Sequence, residues 1–185
     1  MGTDIGRYRR DDDGPDPSMT GRRAQLAALY RGHHRQVLAY ALRRTLNRAD
    51  ADDIVSETFT IAWRRLDMVP AGSGALPWLY AVAHRVLANH RRRADTRARL
   101  GRDLAAETMM DTAPPDGGDH DIGAALQRLS PDDQELLRLA VWEELRHQDI
   151  ATVLGITENA VSIRLYKARN KLRTILTDAK GEGPE

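Results

Sequence analysis

Side chains that could do chemistry form three charged groups along this chain of 185 residues. Asp52, Asp53 and Glu57 are spaced to share the first turns of one helix. Residues 85–102 hold seven arginines and one aspartate, and residues 158–173 hold five basic residues and one acid. There is no cysteine, which excludes disulfides, thiolate metal sites and thiol nucleophiles. Grouped charges of this kind suit the electrostatic binding of charged partners.

The near-neutral net charge hides this clustering. The chain has 28 Lys and Arg against 27 Asp and Glu, a formal charge of +1. Between the two basic segments, residues 103–121 carry six acids and no Lys or Arg. Evenly mixed charges would argue against a nucleic-acid partner, whereas two basic blocks favour one.

The elements that must position these groups are predicted to be helices. Aromatic residues make up 5% of the chain, and Ala, Leu and Arg are abundant, which favours an all-α fold. Apolar periodicity predicts helices over about 25–46, 52–66, 78–93, 130–144, 148–154 and from 158 onward. We expect two small helical domains joined by a flexible acidic linker. The expected segments are a disordered tail 1–22, a domain 23–100, the linker 101–122, a domain 123–177 and a tail 178–185.

The second domain has the pattern of a helix-turn-helix, whose second helix lies in the major groove. Gly155 ends one predicted helix and Thr157 caps the next. Near the start of this last helix, Glu158, Asn159 and Ser162 are the candidates for base edges. Candidates for phosphate contacts are Lys167, Arg169, Lys171 and Arg173. The alternative is an ordinary amphipathic helix with solvated charges.

The acidic group has three interpretations. Asp52, Asp53 and Glu57 could complement the dipole of their helix, or form a docking surface for a basic partner. With His84 or His90 they could also bind a metal, which requires ligands converging from two helices.

The arginine-rich helix begins with Trp78 and Tyr80. Aromatic rings beside cationic side chains suit single-stranded or distorted nucleic acid, whose bases stack on the rings. The alternatives are core packing for Trp78 and a solvated face for the arginines.

Several segments, in order, resemble the sigma-70 family of bacterial sigma factors, specifically its small extracytoplasmic-function group. Residues 52–59, with Ala62 and Trp63, resemble the core-polymerase-binding helix. Residues 78–83 through 89–93 resemble the −10 helix. The −35-reading domain is resembled by residues 129–131, 149–151, 154–156 and 161–169. The resemblance covers about residues 25–176.

The resemblance implies a promoter-specificity subunit with core RNA polymerase and promoter DNA as partners. It implies no catalytic residue, cofactor or metal, and it is compatible with an anti-sigma partner. The residues implied for core binding are Asp52, Asp53, Val55, Glu57 and Phe59. Those implied for the −10 element are Trp78, Tyr80, Arg85, Asn89, Arg92 and Arg93. Those implied for the −35 element are Glu158, Asn159, Ser162, Arg164, Tyr166, Lys167 and Arg169.

Two other function classes remain open from the sequence. A stand-alone helix-turn-helix repressor or activator would leave the first domain unexplained. A metal-dependent hydrolase would need Asp52, Asp53 and Glu57 to act with His84 and His90, and no known motif supports it. No apolar run approaches the ~18 residues of a membrane span, and no export signal is visible, so we expect a cytoplasmic protein without membrane insertion.

Overall fold

The computed structural model describes residues 17–101 and 120–181, and these ranges contain helices but no β-strand. The α-helices are α1 (Pro17–Leu42), α2 (Arg48–Arg64), α3 (Ala75–Gly101), α4 (His120–Gln127), α5 (Pro131–Val141), α6 (His147–Leu154) and α7 (Glu158–Gly181). Two short 3-10 turns, Leu66–Met68 and Gly72–Gly74, connect α2 to α3. The all-α prediction is confirmed.

Local capping chemistry sets the helix ends in the second half of the chain. The Ser130 hydroxyl accepts a hydrogen bond from the Asp133 amide at 3.2 Å, and Pro131 occupies the first turn of α5. Gly155 ends α6 in the left-handed region at φ 66°. The Thr157 hydroxyl then accepts from the Ala160 amide at 3.2 Å and caps α7. The predicted helix-turn-helix is therefore present.

The first helix begins earlier than the sequence predicts. α1 starts at Pro17, so residues 17–22 are helical although they were expected to belong to the tail. Arg22 anchors this extension, because its guanidinium pairs with Asp67 at 3.0 Å and donates to the Trp63 carbonyl at 3.2 Å. α4 likewise begins inside the expected linker, at His120. The rest of the predicted tail and linker, at 1–16 and 102–119, and residues 182–185 lie outside the described residues.

The two groups of helices share one continuous core. We call α1–α3 the N-terminal unit and α4–α7 the C-terminal unit. Within each unit the helices pack around buried apolar residues, and α3 also contacts α6, which joins the two cores. The sequence predicts two domains separated by a linker and gives no sign of this contact.

Candidate nucleic-acid and partner-binding surfaces

A groove of about 770 Å³ lies between α1 and α2. Val55 and Phe59 line it with almost fully buried side chains. The Phe59 ring packs edge-on against Tyr30, with ring centroids 4.8 Å apart. Asp52 and Ser56 also line the groove and are exposed. The arrangement offers a partner an apolar strip beside polar side chains.

Carboxylates of α2 flank this groove. Asp52 is paired with Arg48 one turn earlier, at 3.1 Å, which neutralises part of its charge. Asp53 and Glu57 are exposed and form no ion pair with any residue in 17–101 or 120–181. Their charge is therefore available to a basic partner.

On α3 the predicted nucleic-acid contacts separate into an exposed set and a buried residue. The exposed residues are Arg85, Asn89, Arg92 and Arg93. Trp78 is half-buried and packs against the core. Tyr80 is only 2% exposed and stacks on Tyr40, with ring centroids 4.9 Å apart. Tyr80 was expected to face DNA; its ring is instead part of the core, because it packs on Tyr40 of α1.

On α7 most of the candidate DNA-contacting residues are exposed. Val161, Leu165 and Ala168 are buried and fix the inner face. Exposed residues cover the rest of the helix surface. They are Glu158, Asn159, Arg164, Tyr166, Lys167 and Arg169. Tyr166 is 70% exposed, which places a large ring in solvent.

Three of the candidate DNA contacts on α7 make bonds within the protein. The Ser162 hydroxyl contacts His147 Nδ1 at 3.0 Å and donates to the Glu158 carbonyl at 3.2 Å. Lys171 Nζ lies 2.6 Å from Asp133 Oδ2, which ties α7 to α5. The hydrogen bond from Lys171 lowers the pKa of Asp133. Arg173 donates to the Asn170 side chain at 3.1 Å. Lys171 and Arg173, both phosphate candidates, thus have partners in the protein already.

The described residues contain no cluster of three or more His, Asp or Glu side chains that could hold a metal ion. His84 Nδ1 instead lies 3.7 Å from Glu135, and His90 Nε2 lies 3.7 Å from Asp50. Within the described residues, neither histidine pairs with Asp52, Asp53 or Glu57, as the hydrolase hypothesis requires.

A buried ionic cluster joins the two units, and sequence reasoning missed it. Arg44, just after α1, donates from Nε to Glu135 at 2.9 Å and from Nη1 to Glu143 at 2.9 Å. Arg43 also donates to Glu143, and the Tyr40 hydroxyl donates to Glu135 at 3.1 Å. The side chains of Arg44 and Glu143 are 1% and 2% exposed. No sequence signal marks this pairing, because its partners lie about 90 or more residues apart.

The protonation states in this cluster follow from its neighbours. Burial alone would raise the pKa of Glu135, but His84 and the charge of Arg44 outweigh burial and hold that pKa at about 2. Burial and the carboxylate of Glu135 raise the pKa of Tyr40, so its hydroxyl keeps the proton that it donates. Both Glu135 and Arg44 are therefore charged at neutral pH.

Comparison with known proteins identifies the family of this chain. Residues 29–97 match the family model for sigma-70 region 2, and residues 119–172 match that for sigma-70 region 4. The ECF RNA polymerase sigma factor SigL of Mycobacterium tuberculosis is 31% identical over 167 residues, covering 84% of this chain and 90% of SigL. The chain belongs to the extracytoplasmic-function group of the sigma-70 family.

Other relatives agree with this assignment. The RNA polymerase sigma factor YlaC of Bacillus subtilis is 27% identical, with 86% of this chain and 96% of YlaC covered. The fold resembles the sigma factor RpoE of Bartonella quintana, solved with the anti-sigma factor NepR, at a TM-score of 0.59 and 22% identity, covering 86% of this chain and 96% of RpoE.

As a sigma factor, the chain directs core RNA polymerase to promoter DNA, where transcription begins. Sigma factors are not enzymes. Among the described helices, none is long and apolar enough to cross a membrane.

Proposed function

We propose that this sigma factor docks on core polymerase through α2, reads the −10 element with α3 and reads the −35 element with α7. One observation carries the proposal: three differently built surfaces lie on three helices within the matched regions. The acids beside an apolar groove are on α2, the arginines are on α3, and the outward polar face is on α7. A stand-alone helix-turn-helix regulator would use only the last of these.

The α2 surface suits a partner that is basic and partly apolar. Asp53 and Glu57 supply charge that is not neutralised within the described residues. The groove beside them adds apolar area at Tyr30, which is 43% exposed and whose burial favours association. Charge steers the encounter and the apolar strip lowers the rate of dissociation.

The α3 surface suits the backbone of opened DNA. Arg85, Arg92 and Arg93 present guanidinium groups to solvent along one helix, and Asn89 lies among them. Arginine groups bind phosphates, and an amide can bond to a base edge. Holding an unstacked base repays the few kcal/mol that its extraction costs. The half-buried Trp78 is the remaining aromatic candidate for stacking on that base.

The α7 surface suits duplex DNA. Asn159 is exposed in the first turn of the recognition helix, where a side chain reaches base edges in helix-turn-helix proteins. Lys167 and Arg169 lie farther along, where they would hold phosphates and set the orientation of the helix. Because the Ser162 hydroxyl is engaged by His147, we place Asn159 ahead of Ser162 as the reader of a base.

The remaining expectations are part of the same proposal. The segments 23–100 and 123–177 would be the two functional domains, joined by an acidic linker at 101–122, and the protein would act in the cytoplasm. The solved RpoE structure contains an anti-sigma factor, which supports an anti-sigma protein as a further partner here.

The test is the charge reversal Glu57→Arg. We expect at least a tenfold loss of affinity for core polymerase (about 1.4 kcal/mol or more), because a like charge replaces an attractive one at the docking face. The matched control is Asp67→Asn, which removes an exposed, arginine-paired carboxylate away from the groove. Core affinity would be measured by fluorescence anisotropy, and circular dichroism would show that the fold is retained. Unchanged affinity in Glu57→Arg would remove α2 from the docking surface.

A further inference from the structure

A large apolar side chain lies in the middle of the outward face of α7. Ile163 is 49% exposed, and Tyr166, three residues later, is 70% exposed. At about 100° per residue, Ile163 lies nearly opposite the buried Val161 and Leu165, each two residues away. Ile163 and Tyr166 are neighbours on the helix surface, because residues three apart share a face. Neither belongs to the apolar core of the described residues, so the fold does not account for this apolar surface.

The surface around Ile163 has the chemistry of a nucleic-acid contact. Asn159 lies one turn before Ile163 and Lys167 one turn after it, and both are exposed. Residues 159–177 contain no Asp or Glu. A protein partner would have to match these cations with acids of its own, whereas DNA presents phosphates on both sides of the thymine methyl groups in its major groove. The surroundings of Ile163 therefore favour DNA as its partner.

The neighbouring helix marks one edge of this surface. Ser162, the residue before Ile163, contacts His147 Nδ1 at 3.0 Å and thus faces α6. In helix-turn-helix proteins the first helix crosses the DNA backbone while the second lies in the major groove. The exposed surface next to Ser162, which includes Ile163, is therefore the part of α7 that faces the bases.

We propose that Ile163 is a specificity-determining residue of the −35 contact, whose side chain packs on the 5-methyl group of a thymine. The inference rests on the proposed function, because it takes α7 as the helix that reads the −35 element. Thymine is the base that presents a methyl group in the major groove, so an apolar side chain at this position favours an A·T pair. Ile163 thus adds a preference that the polar residues around it do not supply.

Helix geometry limits where this thymine lies. Ile163 follows Asn159 by four residues, which span about 6 Å along α7. Successive base pairs are about 3.4 Å apart. The thymine is therefore expected one or two base pairs from the pair that Asn159 reads. A β-branched side chain in a helix keeps mostly one rotamer, so Ile163 loses little conformational entropy when it packs on the methyl group.

The test removes the methyl group from the DNA. It uses holoenzyme, formed from the full chain and bacterial core polymerase, and a promoter that this holoenzyme selects from a random library. Each thymine of the −35 element, on either strand, is replaced in turn by deoxyuridine, which lacks only the 5-methyl group. We expect one replacement to lower the affinity about fourfold, the effect of returning one methyl group to water. That thymine should lie within two base pairs of the position whose preference Asn159→Ala relaxes.

The variant Ile163→Ala removes the protein's side of the same contact. It should bind the thymine promoter at least fourfold more weakly than the wild type. Its affinity should no longer change when the sensitive thymine becomes deoxyuridine, because the two changes remove one interaction. Ile163 is half exposed and alanine favours helix, so the variant is expected to fold. The matched control is Ile122→Ala, which shortens an isoleucine of α4 that is 40% exposed and should keep the fourfold methyl effect.

The outcomes separate this contact from the proposed function. A wild type that tolerates deoxyuridine at every position, or an Ile163→Ala variant that keeps the wild-type methyl effect, would overturn the thymine contact. An Ile163→Ala variant with unchanged promoter affinity would overturn it too and would leave Ile163 to a protein partner. In these cases the proposed function stands if Asn159→Ala still relaxes the preference at one base pair. A holoenzyme without any preference in the −35 element would instead refute the proposed function, and the thymine contact with it.

Discussion

At the scale of single residues, recognition of the −35 element depends on a few exposed side chains of α7. Asn159 is exposed at the start of the helix, and Lys167 is exposed two turns later. The two differ in chemistry, since an amide can pair with adenine at two atoms whereas an ammonium binds phosphate as a point charge. Substituting each residue should therefore change DNA binding in a different way.

We predict that Asn159→Ala weakens binding to the −35 element by about 1–3 kcal/mol and relaxes the preference at one base pair. Lys167→Ala should weaken binding to all sequences alike and reduce the salt dependence by about one phosphate contact. Affinities for the cognate duplex and its single-base variants, measured at several salt concentrations, separate the two. Equal losses on every sequence for Asn159→Ala would demote that residue to positioning.

Residues near one another in the chain could be assigned from the sequence, whereas residues near one another only in the fold could not. The Ser130 cap and the turn at Gly155 follow from local backbone rules and are present. Tyr80 was expected to face DNA from its position beside Trp78. Its burial comes from packing on Tyr40 of α1, about which the periodicity of α3 carries no information.

At the scale of elements, the loop between α5 and α6 sets the position of the Glu143 carboxylate. Glu144 has φ 51°, in the left-handed region, and is the only non-glycine residue with positive φ in the described ranges. This conformation follows directly after Glu143 and turns the chain so that Leu145 can bond back to the Leu139 carbonyl at 3.1 Å. A side chain at this φ is strained.

We predict that Glu144→Gly stabilises the protein by about 0.5–1 kcal/mol, because relief of the strain exceeds the entropy that glycine adds to the unfolded chain. Glu144→Gln keeps a side chain at this position and should leave stability unchanged. Urea unfolding of the three proteins would measure the difference. A glycine variant less stable than the wild type would show that the side chain at Glu144 stabilises the loop.

The start of α1 shows the same division between local and distant signals. Residues 17–22, with the sequence PSMTGR, read as part of a polar tail with little to bury. They form helix in the structure, where Arg22 reaches Asp67, which lies 45 residues away. Caps and apolar periodicity predicted where α5, α6 and α7 begin. They could not predict a contact between residues that are 45 positions apart in the sequence.

At the scale of the whole molecule, the units are joined by charge as well as by apolar packing. Glu135 has a pKa of about 2 against its ordinary value of 4.5, so the folded protein binds its proton more weakly than the unfolded chain does. The resulting stability is fully present above about pH 4.5 and is lost as the pH falls toward 2.

We predict that acid weakens the closed protein through Glu135. The wild type should be more stable than Glu135→Gln at pH 6, and the difference should shrink as the pH is lowered to 3, because protonated Glu resembles Gln. Chemical unfolding of both proteins across this range gives the difference in their free energy of unfolding at each pH. Contributions from other carboxylates cancel in this difference, because both proteins contain them. A difference that stays constant with pH would show that the charge of Glu135 contributes nothing.

Transcription from a library of random promoters by bacterial core polymerase, with and without this chain, tests the central claim most directly. The three surfaces predict transcripts that arise only when the chain is added, from promoters that share two elements about 25 base pairs apart. Glu57→Arg should abolish these transcripts while leaving helix content unchanged. A chain that binds DNA but changes no transcript, and never associates with core polymerase, would contradict the assignment of these surfaces.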